Sequence, residues 1–166
     1  MHFQQYGSRC QMWVPPEVHD PILLHHPTRR SVGYFGAVRL GDGRFAFRQE
    51  PGRFNGESFF AFLLQLRRTA ARSGRKAVVI LDNATYHHAR LHKAWRQQHH
   101  RHFQLLYLPP YSPDLNPVER VWKLTRRLAV HNRYFAALPE VIQAVEAVFT
   151  PWSRGNRTLR RLCAII

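Results

Sequence analysis

Residues 76–123 read KAVVILDNATYHHARLHKAWRQQHHRHFQLLYLPPYSPDLNPVERVWK, and their order decides the fold. The apolar run from Ala77 to Leu81 is too short and too uniform for an exposed helix. It suits a strand covered on both faces, as in a parallel sheet flanked by helices. The run stops on Asp82-Asn83. Residues 87–100 are helical by composition, with Leu91 and Trp95 as the expected buried stripe, and FQLLYL at 103–108 is a second strand. After Pro109-Pro110, the stretch Asn116-Pro117-Val118-Glu119 opens a helix that runs to about His131: Asn as N-cap, Pro in the first position, an acid in the first turn. Strand, helix, strand and helix bring two strand ends to one sheet edge, where open α/β sheets bind their ligands. Asp82 stands at one of those ends, and Glu119 follows the other.

Upstream, Ser31–Leu40 and Arg44–Gln49 alternate or run apolar around Gly41-Asp42-Gly43, a hairpin signal. Asn55 caps an amphipathic helix carrying Phe59, Phe60, Leu63 and Leu66, which reaches about Arg72 and ends at Ser73-Gly74. Downstream, residues 138–149 form a last helix with Pro139 in its first turn, followed by a tail bearing Arg154, Arg157, Arg160 and Arg161. Residues 1–28 hold Pro15, Pro16, Pro21 and Pro27 and one short strand candidate, Gln11 to Val14. The sum is a single mixed α/β domain over residues 1–166.

The charge narrows the partner. Lys and Arg number 25 against 10 Asp and Glu, a net charge of +15. Such an excess favours a polyanion, and nucleic acid is the commonest one. Cys10 and Cys163 are the only cysteines, too few for a disulfide framework or a zinc cluster. No apolar run approaches a membrane span and no lipidation signal is present, so a cytoplasmic protein without a membrane partner is expected.

With so few acids, two at one sheet edge are informative. Carboxylates about 4 Å apart repel by roughly 4 kcal/mol at an effective dielectric near 20, unless a cation lies between them. Mg²⁺ (or Mn²⁺) suits this setting, since Mg²⁺ binds through one or two carboxylates and keeps waters or phosphate oxygens. Carboxylates, a divalent metal and a basic surface together point to phosphodiester chemistry by a two-metal route. The same residues also suit plain structural parts: Glu119 can complete a capping box with Asn116, and Asp82-Asn83 can be a turn after a strand. On the helix of Glu119 a 100° step puts Lys123 and Arg126 on the side of the carboxylate, with Val118, Val121, Trp122, Leu124 and Leu128 on the other. Glu119 and Lys123 also have the spacing of an ordinary helical ion pair. His88 and His92 have the spacing of a zinc pair, but no Glu follows His88, and the His-rich stretch reads mainly as a solvated face.

The blocks LDNATYHH at 81–88 and LPPYSPDLNPVERVW at 108–122 resemble the second and third catalytic blocks of the DDE transposases. More narrowly, they are similar to the bacterial insertion-sequence transposases related to the mariner superfamily. Thirty-six residues separate Asp82 from Glu119, close to the mid-thirties spacing of that group. The resemblance runs from about Phe3 to Trp152 and implies a ribonuclease H-like fold: a mixed sheet flanked by helices. It implies that Asp82 and Glu119 bind catalytic metal in an enzyme that cuts DNA and joins the freed 3′ end to a target. Transposon ends and target DNA are then the partners, a homodimer is possible, and the setting is the bacterial nucleoid. Asn83, His87, Lys123, Arg126 and Arg127 are the candidate DNA contacts. The family uses three acids, and the first would fall just before Met1, on a central strand between the hairpin and the 77–81 strand. The resemblance therefore implies an N-terminally incomplete domain with impaired activity. Glu17, Asp20 and Glu50 fit no family motif.

Overall fold

A computed structural model describes residues 1–19, 22, 24, 26–71 and 74–164. Among these residues, five strands form two small sheets, and five α-helices pack with them into two apolar cores.

The first sheet holds β1 (His2–Gln4), β2 (Ser31–Val38) and β3 (Phe45–Glu50), all antiparallel, in the order β1-β2-β3. Gly43 makes the β2–β3 turn at φ 72°, and a Cβ there would stand 2.0 Å from the Asn156 carbonyl oxygen, so only glycine fits. Across this sheet lie α3 (Pro117–Thr125), α4 (Leu138–Trp152) and α5 (Arg157–Leu162). Phe149 is fully buried and meets Phe3, Tyr34, Phe45, Phe47 and Trp122 at centroid distances of 5.0–6.2 Å. Such rings supply most of the area and fix the geometry.

The second sheet holds only β4 (Ala77–Leu81) and β5 (Phe103–Tyr107), parallel, with Ala77 opposite Phe103 and Leu81 opposite Tyr107. Its core is built from α1 (Gly56–Ala71), whose Phe59, Phe62 and Leu63 pack with Phe35, Leu81 and Phe103. Asn55 caps α1 by accepting the Ser58 N–H at 2.8 Å. The expected closing residue Ser73 lies outside the described residues.

Several expectations are corrected. β4 is covered on one face only: Val78 and Ile80 are 48% and 40% exposed, and among the described residues no strand pairs with its outer edge. The expected helix at 87–100 is broken. Two 3-10 turns, Thr85–His88 and Arg90–His92, flank Ala89, which is extended at φ −53°, ψ 137°. Only α2 (Lys93–His99) is α-helical. That break turns Leu91 outward and His92 inward, against Phe59 and Phe60. Beyond Thr125 the helix of Glu119 widens into a π turn, Arg126–Val130, closed by the His131 N–H on the Arg126 carbonyl. One extra residue per turn shifts the phase, so Ala129 and Val130 are buried and Leu128 is not. The strand candidate at 11–14 forms no strand, and Trp13 is fully exposed. The last helix continues to Trp152, and the basic tail folds into α5. No helix among the described residues is long and apolar enough to cross a membrane.

Candidate active site

The two cores face each other across a cavity of about 420 Å³. Asp82, at the exit of β4, and Glu119, in the first turn of α3, both line it, as does Met1. The fold thus brings to one cavity two acids from separate strand-and-helix units. Both carboxylates also act on the Met1 amine. Burial lowers the pKa of that amine to about 6, and the charges of Glu119 and Asp82 oppose the shift.

Asp82 is held in place from several directions. Its Oδ1 lies 2.9 Å from His87 Nδ1 and accepts the Ala84 N–H at 3.2 Å. The His87 hydrogen bond holds the Asp82 carboxyl below the usual carboxylate range; partial burial opposes this, and the Ala84 N–H adds to it. His87 is itself anchored. Its ring packs on Phe59 at 4.3 Å and its carbonyl oxygen accepts the Tyr107 hydroxyl at 2.9 Å. Tyr107 Oη in turn accepts from Arg96 Nη1 at 2.7 Å. Arg96, Tyr107, His87 and Asp82 are therefore linked from α2 through the end of β5 to the site. Sequence reasoning missed Arg96 and Tyr107. Their only sequence signal is that Tyr107 closes a strand beside the site, and their pairing requires the fold.

Glu119 is not occupied as a helix cap. The Asn116 N–H it would accept in a capping box bonds instead to the Pro113 carbonyl at 2.9 Å. No ion pair joins Glu119 to Lys123 among the described residues. The Asn116 side chain caps α3 on its own, accepting the Val118 N–H. Glu119 is exposed at the cavity rim, free of the structural roles that its position also allowed.

The remaining candidates divide. Lys123 and Arg127 are exposed, whereas Arg126 is half-buried with Nη1 3.7 Å from the Met1 sulfur. Asn83 donates its amide to the Leu108 carbonyl and clamps the exits of β4 and β5 together. His87 is buried and faces Asp82, so its ring is not offered to a solvent-borne partner. His88 stacks on Tyr107 and His92 is wholly buried, so the two do not converge as a zinc pair. Glu17 and Glu50 are not among the cavity-lining residues, and Asp20 lies outside the described ones. Tyr111, in the PPYSP loop, is fully solvent-exposed at φ 56°, a left-handed conformation uncommon for a side chain of this size.

Among the described residues no three His, Cys, Asp or Glu side chains gather as a metal cluster. The pair Asp82 and Glu119 suits a hard divalent ion that keeps waters or phosphate oxygens as its other ligands. It does not suit the closed four-ligand set of structural zinc.

Comparison with known proteins accounts for this arrangement. The chain is 26% identical over 130 residues to the insertion element IS630 uncharacterized 39 kDa protein of Shigella sonnei, covering 76% of this chain and 37% of that protein. It is 31% identical over 137 residues to the transposable element Tc1 transposase of Caenorhabditis elegans, covering 76% of this chain and 48% of the relative. The chain thus spans less than half the length of these relatives. In structure it matches the Mos1 transposase of a paired-end complex with the left transposon end. That match has a TM-score of 0.71 at 18% identity and covers 98% of this chain and 49% of that one. The likeness identifies the fold as ribonuclease H-like, although the sheet is in two parts here. Residues 1–142 match the DDE superfamily endonucleases, the family to which this chain belongs.

Proposed function

We propose that residues 1–166 form one catalytic domain of a DNA transposase, with Asp82 and Glu119 as ligands of Mg²⁺ or Mn²⁺. The observation that carries this reading is the convergence of those two acids on one cavity, with neither committed to a purely structural role. A structural neighbour crystallised with Mn and the family's endonuclease chemistry agree with the choice of ion. A bound divalent ion supplies charge to polarise a phosphodiester. His87 and the Ala84 N–H hold Asp82 ionised and oriented for it.

DNA is the proposed partner. Mos1 neighbours are complexes with a transposon end or of strand transfer, and the net charge of +15 suits a polyanion. Lys123 and Arg127 stand exposed on the helix of Glu119 and its π turn, positioned for phosphates, with Arg126 as a half-buried companion. Replacing Lys123 and Arg126 by Ala should weaken binding to unrelated duplexes alike and flatten the slope of log K against log salt by about 2. An unchanged slope would remove both from the interface. A DNA-bound chain belongs in the cytoplasm with the nucleoid, and a homodimer is compatible with this reading.

One observation favours a second reading. No third acid joins the pair among the described residues, as expected of a DNA-binding remnant without catalysis. Nicking of supercoiled plasmid in Mn²⁺ separates the two. The transposase reading expects weak nicking, abolished by Asp82→Asn or Glu119→Gln while DNA binding persists. Binding without nicking above the Asp82→Asn background supports the remnant. Cleavage of RNA–DNA hybrids with no action on DNA would point to a ribonuclease H-like enzyme of repair or RNA processing.

A further inference from the structure

We propose that α5 is a second DNA-binding face, whose exposed arginines hold duplex phosphates on the flank of the Glu119 helix. The proposal rests on DNA as the partner and is independent of the metal site.

A basic stretch of chain can act as a loose, charged tail, but α5 is a fixed surface. Asn156 starts the helix by accepting the Leu159 N–H at 2.9 Å. Its own backbone N–H donates to the Asp42 carbonyl of the β2–β3 turn at 2.8 Å. Leu159 and Cys163 are fully buried in the first core. At the far end Arg120 Nη1 donates to the Leu162 and Ala164 carbonyls, at 3.0 and 3.2 Å. A cation there also suits the negative end of a helix. Arg120 directly follows Glu119, so the end of α5 is tied beside the first turn of α3.

The outer face carries only positive charge. A 100° step per residue places Arg157, Arg160 and Arg161 within about a 100° arc, turned away from Leu159. All three are exposed, as is Arg154 in the turn ahead of the helix. Among the described residues none of these four joins a salt bridge. Asp42 lies beside Gly155, but Arg39 holds its carboxylate, with Nε donating to Oδ1 at 2.7 Å. That acid is already neutralised and does not cancel the arginine charge.

The side-chain chemistry selects the partner. Every cation on this face is an arginine, whose planar fork pairs with phosphate at two points. Arg157 and Arg161 sit about one turn apart, roughly 6 Å along the axis. Duplex DNA offers a phosphate about every 3.4 Å along each strand, so the two side chains can engage separate phosphates. Such contacts hold and orient a duplex without reading its sequence.

The test replaces Arg157, Arg160 and Arg161 by Ala, singly and together, with helix content checked by circular dichroism. Anisotropy titrations of a duplex of arbitrary sequence, at several salt concentrations, give the slope of log K against log salt. Each single replacement should take about 1 from the slope and the triple variant about 3. Lys at all three positions should restore it. A control with Arg90, Lys93 and Arg101 replaced by Ala removes equal charge from exposed positions around α2. It should change the slope by less than about 1. Equal losses in the control and the α5 variant would overturn the proposal, since net charge rather than this face would then govern binding. So would an unchanged slope in the α5 variant. Weaker binding to anionic phospholipid vesicles with unaltered binding to DNA would overturn it too, and would assign the face to a membrane. If the unaltered protein binds no DNA, the proposal falls together with the DNA reading; if it binds and the α5 variant matches it, α5 alone is removed.

Discussion

The two halves of the molecule are built from similar sequence and end in different states. In the first, three strands lie under α3, α4 and α5, and the core residues Tyr34, Phe45, Val121, Val141, Val145 and Phe149 are at most 1% exposed. In the second, the VVIL run of β4 is as apolar as anything in the chain, yet Val78 and Ile80 stand 48% and 40% exposed. The difference is not hydrophobicity. It is the number of neighbours: β2 is paired along both edges over its first residues, β4 along one. Asp82 and Glu119 come one from each half, so the geometry of the site depends on how firmly the halves meet.

The largest effect expected from this contrast is on stability. Phe149→Ala in the first core should cost about 3–5 kcal/mol, from lost burial and the cavity left behind. Ile80→Ala should cost less than about 1 kcal/mol, because much of its surface is already in water. Urea denaturation of both variants measures the difference. Similar losses would show that β4 is covered in solution.

A smaller effect comes from the Met1 amine at the junction. Its pKa is lowered from 8.0 to about 6 in the folded chain, so between those values the unfolded chain binds more protons. Stability should therefore be complete above pH 8, fall as the pH drops towards 6, and level off below, by on the order of 2 kcal/mol in total. N-terminal acetylation should remove this step. A slope that survives acetylation would trace to other groups.

Smaller again is the link to Asp82. Tyr107→Phe deletes the hydroxyl that donates to the His87 carbonyl and accepts from Arg96. It should cost about 1 kcal/mol and alter the NMR signals of His87 and Asp82 while leaving those of Phe149 and Val145 unmoved. Changes spread evenly over both cores would argue against a local linkage.

Much of this organisation is legible in the sequence, for reasons that differ by element. The hairpin, α1 and the strands at 77–81 and 103–107 announce themselves through local patterns: Gly-Asp-Gly, an Asn cap, short apolar runs. The placement of Asp82 and Glu119 at one cavity follows from the order of those elements. What was not legible depends on contacts distant in sequence. The composition of residues 87–100 favours a helix, and nothing local marks Ala89 as the break that buries His92. The π turn that exchanges Leu128 for Ala129 is set by packing against α4, not by helical propensity. The inward turn of His87 is likewise a matter of what Asp82, Phe59 and Tyr107 offer it.

The central claim is that the two halves bring Asp82 and Glu119 to one divalent ion. Paramagnetic broadening of amide signals during a Mn²⁺ titration tests it most directly. Signals of residues 81–84 and 118–120 should broaden first and together, and Asp82→Asn should abolish the effect at both segments. Broadening centred on the histidines at 99–102, or at only one of the two segments, would contradict it.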